Sequence, residues 1–131
     1  MNAADFLMLS QASFDDLIER IPAEYKDGID LINFRPNVII DGATPYQEDT
    51  WKTIQIGPHI FSGVRLCDRC ATTCVDRRTA TFTPEPLKTL AKYRNIDKGI
   101  MFGHLMNLNA SSSGRPWMVS KGMRIIVLET K

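Results

Sequence analysis

The apolar positions divide the chain into short segments of two different periods. The first run, Phe6-Leu7-Met8-Leu9 within Asp5 to Ser10, is too short for a helix of its own and predicts a buried strand. Phe14, Leu17, Ile18 and Ile21 then recur at i, i+3, i+4 and i+7, which is one face of an α-helix. Ser13 is the expected N-cap, with Asp15 and Asp16 in the first turn at the positive end of the helix dipole, and Pro22 closes the helix. The pattern fades from Pro22 to Asn33, apart from an Asp27-Gly28 turn. Val38-Ile39-Ile40 predicts a second buried strand, ended by Asp41-Gly42. After the polar loop Ala43 to Asp49, Trp51 to Ile56 reads as a strand, although Trp51 and Thr53 are out of step with Ile54 and Ile56. Gly57-Pro58 turns the chain into a further strand, His59 to Leu66, giving a hairpin.

Downstream, Arg77-Arg78-Thr79 is a polar connection. Leu87, Leu90, Ala91 and Arg94 predict a second short helix, with Pro86 in its first turn, and Asn95 to Gly99 breaks it. Ile100 to Met106 predicts a strand containing Gly103, where another group can approach closely. Asn109 to Pro116 reads as a flexible loop and Met123 to Leu128 as a last strand after Lys121-Gly122. The sum is an α+β fold, mostly β: a curled, barrel-like sheet with peripheral helices, in one domain over residues 1–131.

Composition narrows the function. The chain is 44% hydrophobic and 24% charged, and sixteen Lys/Arg against fifteen Asp/Glu leave a net charge of +1, which gives no electrostatic case for nucleic acid as a partner. No apolar run approaches the roughly 20 residues of a membrane-spanning helix. The N-terminus has no basic region and carries Asp5, unlike a secretory leader. Cys67, Cys70 and Cys74 lie within eight residues. An odd count at short spacing fits a reducing, cytoplasmic setting and thiols kept for chemistry.

The candidate chemistry centres on Phe61 to Asp76, which reads as strand, tight turn, strand, with Asp68-Arg69-Cys70 at the turn and Ala71 to Val75 leading out in β conformation. Arg65 and Arg69 stand beside the thiols, where guanidinium charge would favour the thiolate. Several readings compete. Cys67-x-x-Cys70 has a zinc-ligand spacing, but only His59 and His104 could complete the set. An iron–sulfur cluster needs four thiolates per cluster, and three are present. A redox dithiol has this spacing without the helix that opens on such motifs. All three cysteines could equally be small buried hydrophobes, which suits Cys74 best. Arg35, in Phe34-Arg35-Pro36-Asn37, is biased by Pro36 towards extended backbone, and is either a surface arginine paired with an acidic neighbour or a rigid anion clamp.

Beyond these local patterns, the chain resembles the MOSC family, the molybdenum-cofactor-binding domain of the cofactor sulfurase C-terminus and of the amidoxime-reducing components. The resemblance is carried, in order, by Leu9-Ser10-Gln11-Ala12-Ser13, Phe34-Arg35-Pro36-Asn37 with Asp41-Gly42, Tyr46, Glu48-Asp49-x-Trp51, Ile56-Gly57, Cys67-Asp68-Arg69-Cys70 with Thr73 and Val75-Asp76, Glu85-Pro86-Leu87-x-x-Leu90-x-x-Tyr93-Arg94, and Phe102-Gly103. It implies Cys70 as the molybdenum ligand and catalytic residue, Arg35 as an anion contact, and Asp68, Arg69, His104 and Leu105 as residues lining the cofactor, molybdopterin. Family members often have Ser at Asp68 and Thr-Gly at Thr79-Ala80. The resemblance further implies an oxidoreductase acting on N-hydroxylated small molecules, fed by an external haem, flavin or ferredoxin-type donor. The alternative it implies is a sulfur-carrier domain with a persulfide on Cys70, partnered by a sulfurase and its pyridoxal phosphate binding. Relatives carry a further N-terminal β-rich domain, so the chain is either the C-terminal part of a longer protein or a short protein with half the expected cleft.

Overall fold

A computed structural model describes residues 6–108 and 122–131. The first run forms β1 (Phe6–Ser10), and its last residue, rather than Ser13, caps the helix that follows, α1 (Gln11–Arg20). The Ser10 hydroxyl accepts the Ser13 N–H at 3.0 Å. The strand therefore runs directly into the helix, and Asp15 and Asp16 fall beyond the first turn. A short α2 (Ala23–Lys26) and a 3₁₀ turn, Leu31–Phe34, occupy the stretch of weak pattern. They lead to β2 (Val38–Ile40), which lies parallel to β1, so α1 and α2 belong to the crossover that a parallel pair requires.

The hairpin follows as β3 (Trp51–Ile56) and β4 (His59–Asp68). The misfit between Trp51 and Ile54 is a β-bulge: the register against the last strand shifts on either side of Thr53. Two residues, Lys52 and Thr53, thus separate two buried ones. The expected exit strand after Cys70 is instead a 3₁₀ turn, Ala71–Cys74, followed by a two-residue β5 (Val75–Asp76) that pairs with β6 (Thr81–Phe82). The Cys70 carbonyl accepts both the N–H and the hydroxyl of Thr73, at 3.1 and 2.9 Å, and this closes the turn against the β propensity of its threonines. Pro86 caps α3 (Leu87–Tyr93) from just outside it. A small hairpin of β7 (Asn95–Ile96) on β8 (Gly99–Leu108) comes next, and β9 (Ile125–Thr130) ends the chain two residues later than expected. The loop expected over 109–116 lies outside the described residues.

One sheet runs β2-β1-β8-β4-β3-β9. It curls, because residues from both edges share a core: Ile40 of β2 packs with Met8, Trp51, Ile54, Ile56, Phe61 and Met106, and Ile125 of β9 lies against the same cluster. A cleft of about 1290 Å³ separates the two edges, lined by Val38 and Ile40 on one side and Ile125 and Val127 on the other. The opposite face carries the helices. Leu17 and Ile21 of α1 and Leu90 of α3 pack with Leu9, Ile29, Phe34 and Phe102. Together these elements make the expected α+β fold, its curled sheet forming a half-barrel.

Two buried polar networks hold the helix layer to the sheet. The Glu48 carboxylate receives the Ser10 N–H at 3.1 Å and the Ser13 hydroxyl at 2.8 Å, and the Glu48 carbonyl accepts from His104 Nδ1 at 2.7 Å. Arg94 pairs with Asp49 at 2.6 Å, donates to the Met101 carbonyl and stacks on Tyr46. Ser10, Ser13, Glu48, Asp49 and Arg94 of the family-like residues are therefore explained by folding: buried polar groups need partners, and these supply them.

Candidate functional site

Arg69 assembles the site. Its side chain turns away from solvent: Nε donates to the Phe102 carbonyl at 2.7 Å and Nη1 to the Phe34 carbonyl at 2.9 Å, with the guanidinium over the Phe34 ring. It can lie there because Gly103 has no side chain. A Cβ at that position would stand 2.9 Å from Leu7 Cδ1 and 3.1 Å from Arg69 Nη2, and Gly103 has φ +93°, a conformation L side chains avoid. Nη2 is buried and finds no hydrogen-bond partner among the described residues. Desolvation pulls the Arg69 pKa below the ordinary arginine value.

A second tie joins the same two loops. Asn33 Nδ2 donates to the carbonyls of Thr73 and Val75 at 3.1 and 2.9 Å. The turn before Arg35 and the turn after Cys70 are thus stitched together from both sides. Arg35 itself sits at φ 52°, ψ 51°, left-handed rather than extended, because it caps the 3₁₀ turn with its N–H on the Ile32 carbonyl. Capping outweighs the bias from Pro36. Its exposed side chain has no acidic partner among the described residues, so the pairing with an acidic neighbour is not what the structure holds.

Cys70 is exposed, with its sulfur 3.1 Å from the Thr72 hydroxyl. Its thiol is shifted below the ordinary value, first by the Thr72 hydroxyl and backbone N–H, with the Arg69 charge a smaller influence. Cys67 behaves oppositely: burial raises it despite Arg69 and Arg65. The two arginines are therefore not what distinguishes the thiols. Their neighbours differ: the Cys70 sulfur has the Thr72 hydroxyl beside it, whereas the Cys67 sulfur lies near the Asp68 carbonyl, and a hydroxyl two residues after a cysteine at a turn is a local hydrogen-bonding signal. Cys74 is buried, as expected, but in the 3₁₀ turn.

Asp68 directs Oδ1 to the Ile100 N–H at 3.2 Å and so secures the start of β8. His104 and Leu105 separate across the sheet. His104 lies opposite Met8, is fully buried and faces the half-barrel interior. Leu105 lies opposite Leu7 and Arg65 and shares their face, the one over which Arg69 lies. Among the described residues no three His, Cys, Asp or Glu side chains gather as a metal set, which removes the zinc reading of Cys67, Cys70, His59 and His104. No described helix is long and apolar enough to cross a membrane.

A family model described as "MOSC domain" matches residues 1–125. The chain belongs to the MOSC domain family. This MOSC domain is 36% identical over 125 residues to a molybdenum cofactor sulfurase of Arabidopsis thaliana, an alignment covering 89% of this chain and 15% of that protein. It is 40% identical over 97 residues to mitochondrial amidoxime-reducing component 1 of Homo sapiens, covering 73% of this chain and 28% of that protein. A Danio rerio molybdenum cofactor sulfurase matches at 34% over 136 residues, covering 96% of this chain and 16% of that protein. The chain therefore spans a small fraction of the relatives it matches.

The residues on this face suit an anionic group that needs a soft ligand. They offer an exposed sulfur beside a hydroxyl, and, among the described residues, an Arg35 guanidinium with no acidic partner and an Arg69 nitrogen with no acceptor.

Proposed function

We propose that this MOSC domain binds the molybdenum cofactor (molybdopterin) on the face bounded by Arg35, Arg69 and Cys70, with Cys70 as the metal ligand. The observation that carries the reading is the exposed Cys70 sulfur, set on a turn that Asn33 and Arg69 tie to the turn bearing Arg35. Arg35 would contact anionic oxygens of the cofactor. Arg69 would hold the two loops at a fixed separation and present its remaining nitrogen. Leu105 would form part of the apolar floor. Asp68, committed to the Ile100 N–H, would sit at the margin, where its charge opposes an anion.

In the whole protein this site would serve reduction of N-hydroxylated small molecules, with electrons from a separate haem, flavin or ferredoxin-type donor. The cofactor, when bound, supplies the oxygen-atom chemistry; the chain supplies ligand, orientation and charge. Arg35→Gln tests the anion contact: it should lower cofactor retention severalfold while the protein melts as wild type does. Unchanged retention would remove Arg35 from the site.

The sulfur-carrier reading is favoured by one observation: the sulfurase relatives align over more of this chain than the amidoxime-reducing component does. Cys70 would then carry a persulfide loaded by a partner sulfurase, where the pyridoxal phosphate would reside. Sulfur transfer onto Cys70 without turnover of an N-hydroxylated compound would select this reading.

A further inference from the structure

We infer that Asn33 is a positioning residue for the site: its side-chain amide holds the far end of the Cys70 turn and so fixes where Cys70 stands relative to Arg35. The amide is fully committed, and its partners settle its orientation. Oδ1 accepts the Asp30 N–H at 3.0 Å, and Nδ2 donates to the carbonyls of Thr73 and Val75 at 3.1 and 2.9 Å, both of which can only accept. These last two bonds join residues 40 and 42 positions apart. Asn33 lies two residues before Arg35 in the 3₁₀ turn Leu31–Phe34, and the Arg35 N–H closes that turn on the Ile32 carbonyl. At the other end, Thr73 gives its N–H and hydroxyl to the Cys70 carbonyl. The path from Arg35 to Cys70 thus runs through Asn33 and Thr73.

The weight of this tie follows from where the others lie. The Cys70 turn is anchored at its start. The Arg69 N–H donates to the Ile100 carbonyl at 2.8 Å, and the Arg69 guanidinium to the carbonyls of Phe102 and Phe34. An anchor at one end leaves a pivot, about which the turn can swing and carry Cys70 with it. Asn33 grips the opposite end, on both sides of Cys74, and removes that freedom. Beyond it, the Arg77 N–H binds the Gly28 carbonyl at 2.8 Å, a contact with a different segment. An exposed sulfur and an exposed guanidinium serve one bound anion best when their separation is set before it arrives. That purpose rests on the cofactor reading above, whereas the tie itself does not.

The test reads the geometry first, in protein made without the cofactor. Nitroxide labels are placed on Cys70 and on Ile32→Cys, an exposed position of the Arg35 turn, in a Cys67→Ser background with Cys74 left buried. Dipolar electron paramagnetic resonance gives the distribution of label separations for this parent, Asn33→Asp, Asn33→Ala and Asp30→Ala. Asn33→Asp keeps the shape and the acceptor for Asp30 but loses the amide donors. Asp30→Ala removes the carboxylate that accepts the Leu31 N–H at 2.6 Å in the same 3₁₀ turn, without touching the Cys70 turn. Losing two hydrogen bonds should favour displaced arrangements by roughly tenfold or more, so both Asn33 variants should give a distribution about twice as broad as the parent's, and Asp30→Ala should keep the parent's. Asn33 variants as narrow as the parent, Asp30→Ala broadened to the same extent, or loss of the fold in both Asn33 variants overturns the inference. The same substitutions without labels are then made in a cofactor-producing host, where Asn33→Asp should retain severalfold less molybdenum than Asp30→Ala. Molybdenum present in the parent and equal in Asn33→Asp also overturns the inference. Molybdenum absent from the parent defeats the cofactor reading and leaves the distances to decide the role of Asn33.

Discussion

Arg69 Nη1 donates to the carbonyl of Phe34, thirty-five residues earlier, at 2.9 Å. This contact fixes the Phe34-Arg35 turn against the Cys70 loop and fills the space above Gly103. Arg69→Met keeps the packing stem but removes two charge-assisted hydrogen bonds to backbone carbonyls. We expect it to destabilise the domain by about 2–3 kcal/mol, read from urea unfolding. A loss of stability near zero would mean that the two loops hold their positions without it.

His104 is fully buried, and its Nδ1 contacts a carbonyl that can only accept, so Nδ1 carries a proton. Burial lowers its pKa below the ordinary 6.5. Below that pH the unfolded chain binds a proton that the folded chain resists, so stability falls as the medium is acidified. The melting temperature should decline from pH 7 towards pH 5. In His104→Gln that part of the slope should flatten. Equal slopes in the two proteins would show that His104 titrates normally.

Asp76 is almost fully buried, and hydrogen bonds from Arg78 hold its pKa at about 2, against an ordinary value of 3.8. Its stabilising contribution is complete above the ordinary value and is lost as pH falls through the folded one. Acid unfolding of the wild type should therefore steepen between pH 3.8 and about 2, and Asp76→Asn should lack that segment. Superimposable acid transitions would contradict the assignment.

Ala80 has φ 58°, in the left-handed region that favours glycine. An L side chain there costs roughly 1–2 kcal/mol, part of which glycine returns as lost chain entropy. Ala80→Gly should raise stability by about 0.5–1 kcal/mol in denaturant melts. A destabilised variant would mean that the turn is not strained.

Local patterns revealed the elements whose cause is local. Phe14, Leu17, Ile18 and Ile21 announced α1 because their spacing is the helix period, and Val38 to Ile40 announced β2. Where a hydrogen bond overrules propensity the reading fails. The threonines of Ala71–Cys74 look like strand, but Thr73 closes a 3₁₀ turn on the Cys70 carbonyl. Pro36 argues for an extended Arg35, but the preceding turn needs a left-handed cap. Ser13 has the chemistry of an N-cap, yet its hydroxyl serves Glu48, thirty-five residues away, a partner no local window contains. The site followed the same division. Resemblance pointed to Cys70, Arg69 and Arg35, but not to the Thr72 hydroxyl that lies beside the sulfur. Nor could it separate His104 from Leu105, whose opposite faces depend on strand register.

The central claim, that Cys70 anchors molybdenum, is tested most directly by metal analysis. The protein would be purified without oxygen from a molybdenum-cofactor-producing host, wild type beside Cys70→Ala. The account predicts near-stoichiometric molybdenum in the wild type and its loss in Cys70→Ala, with both proteins folded. Equal molybdenum in the two proteins, or none in the wild type, would contradict it.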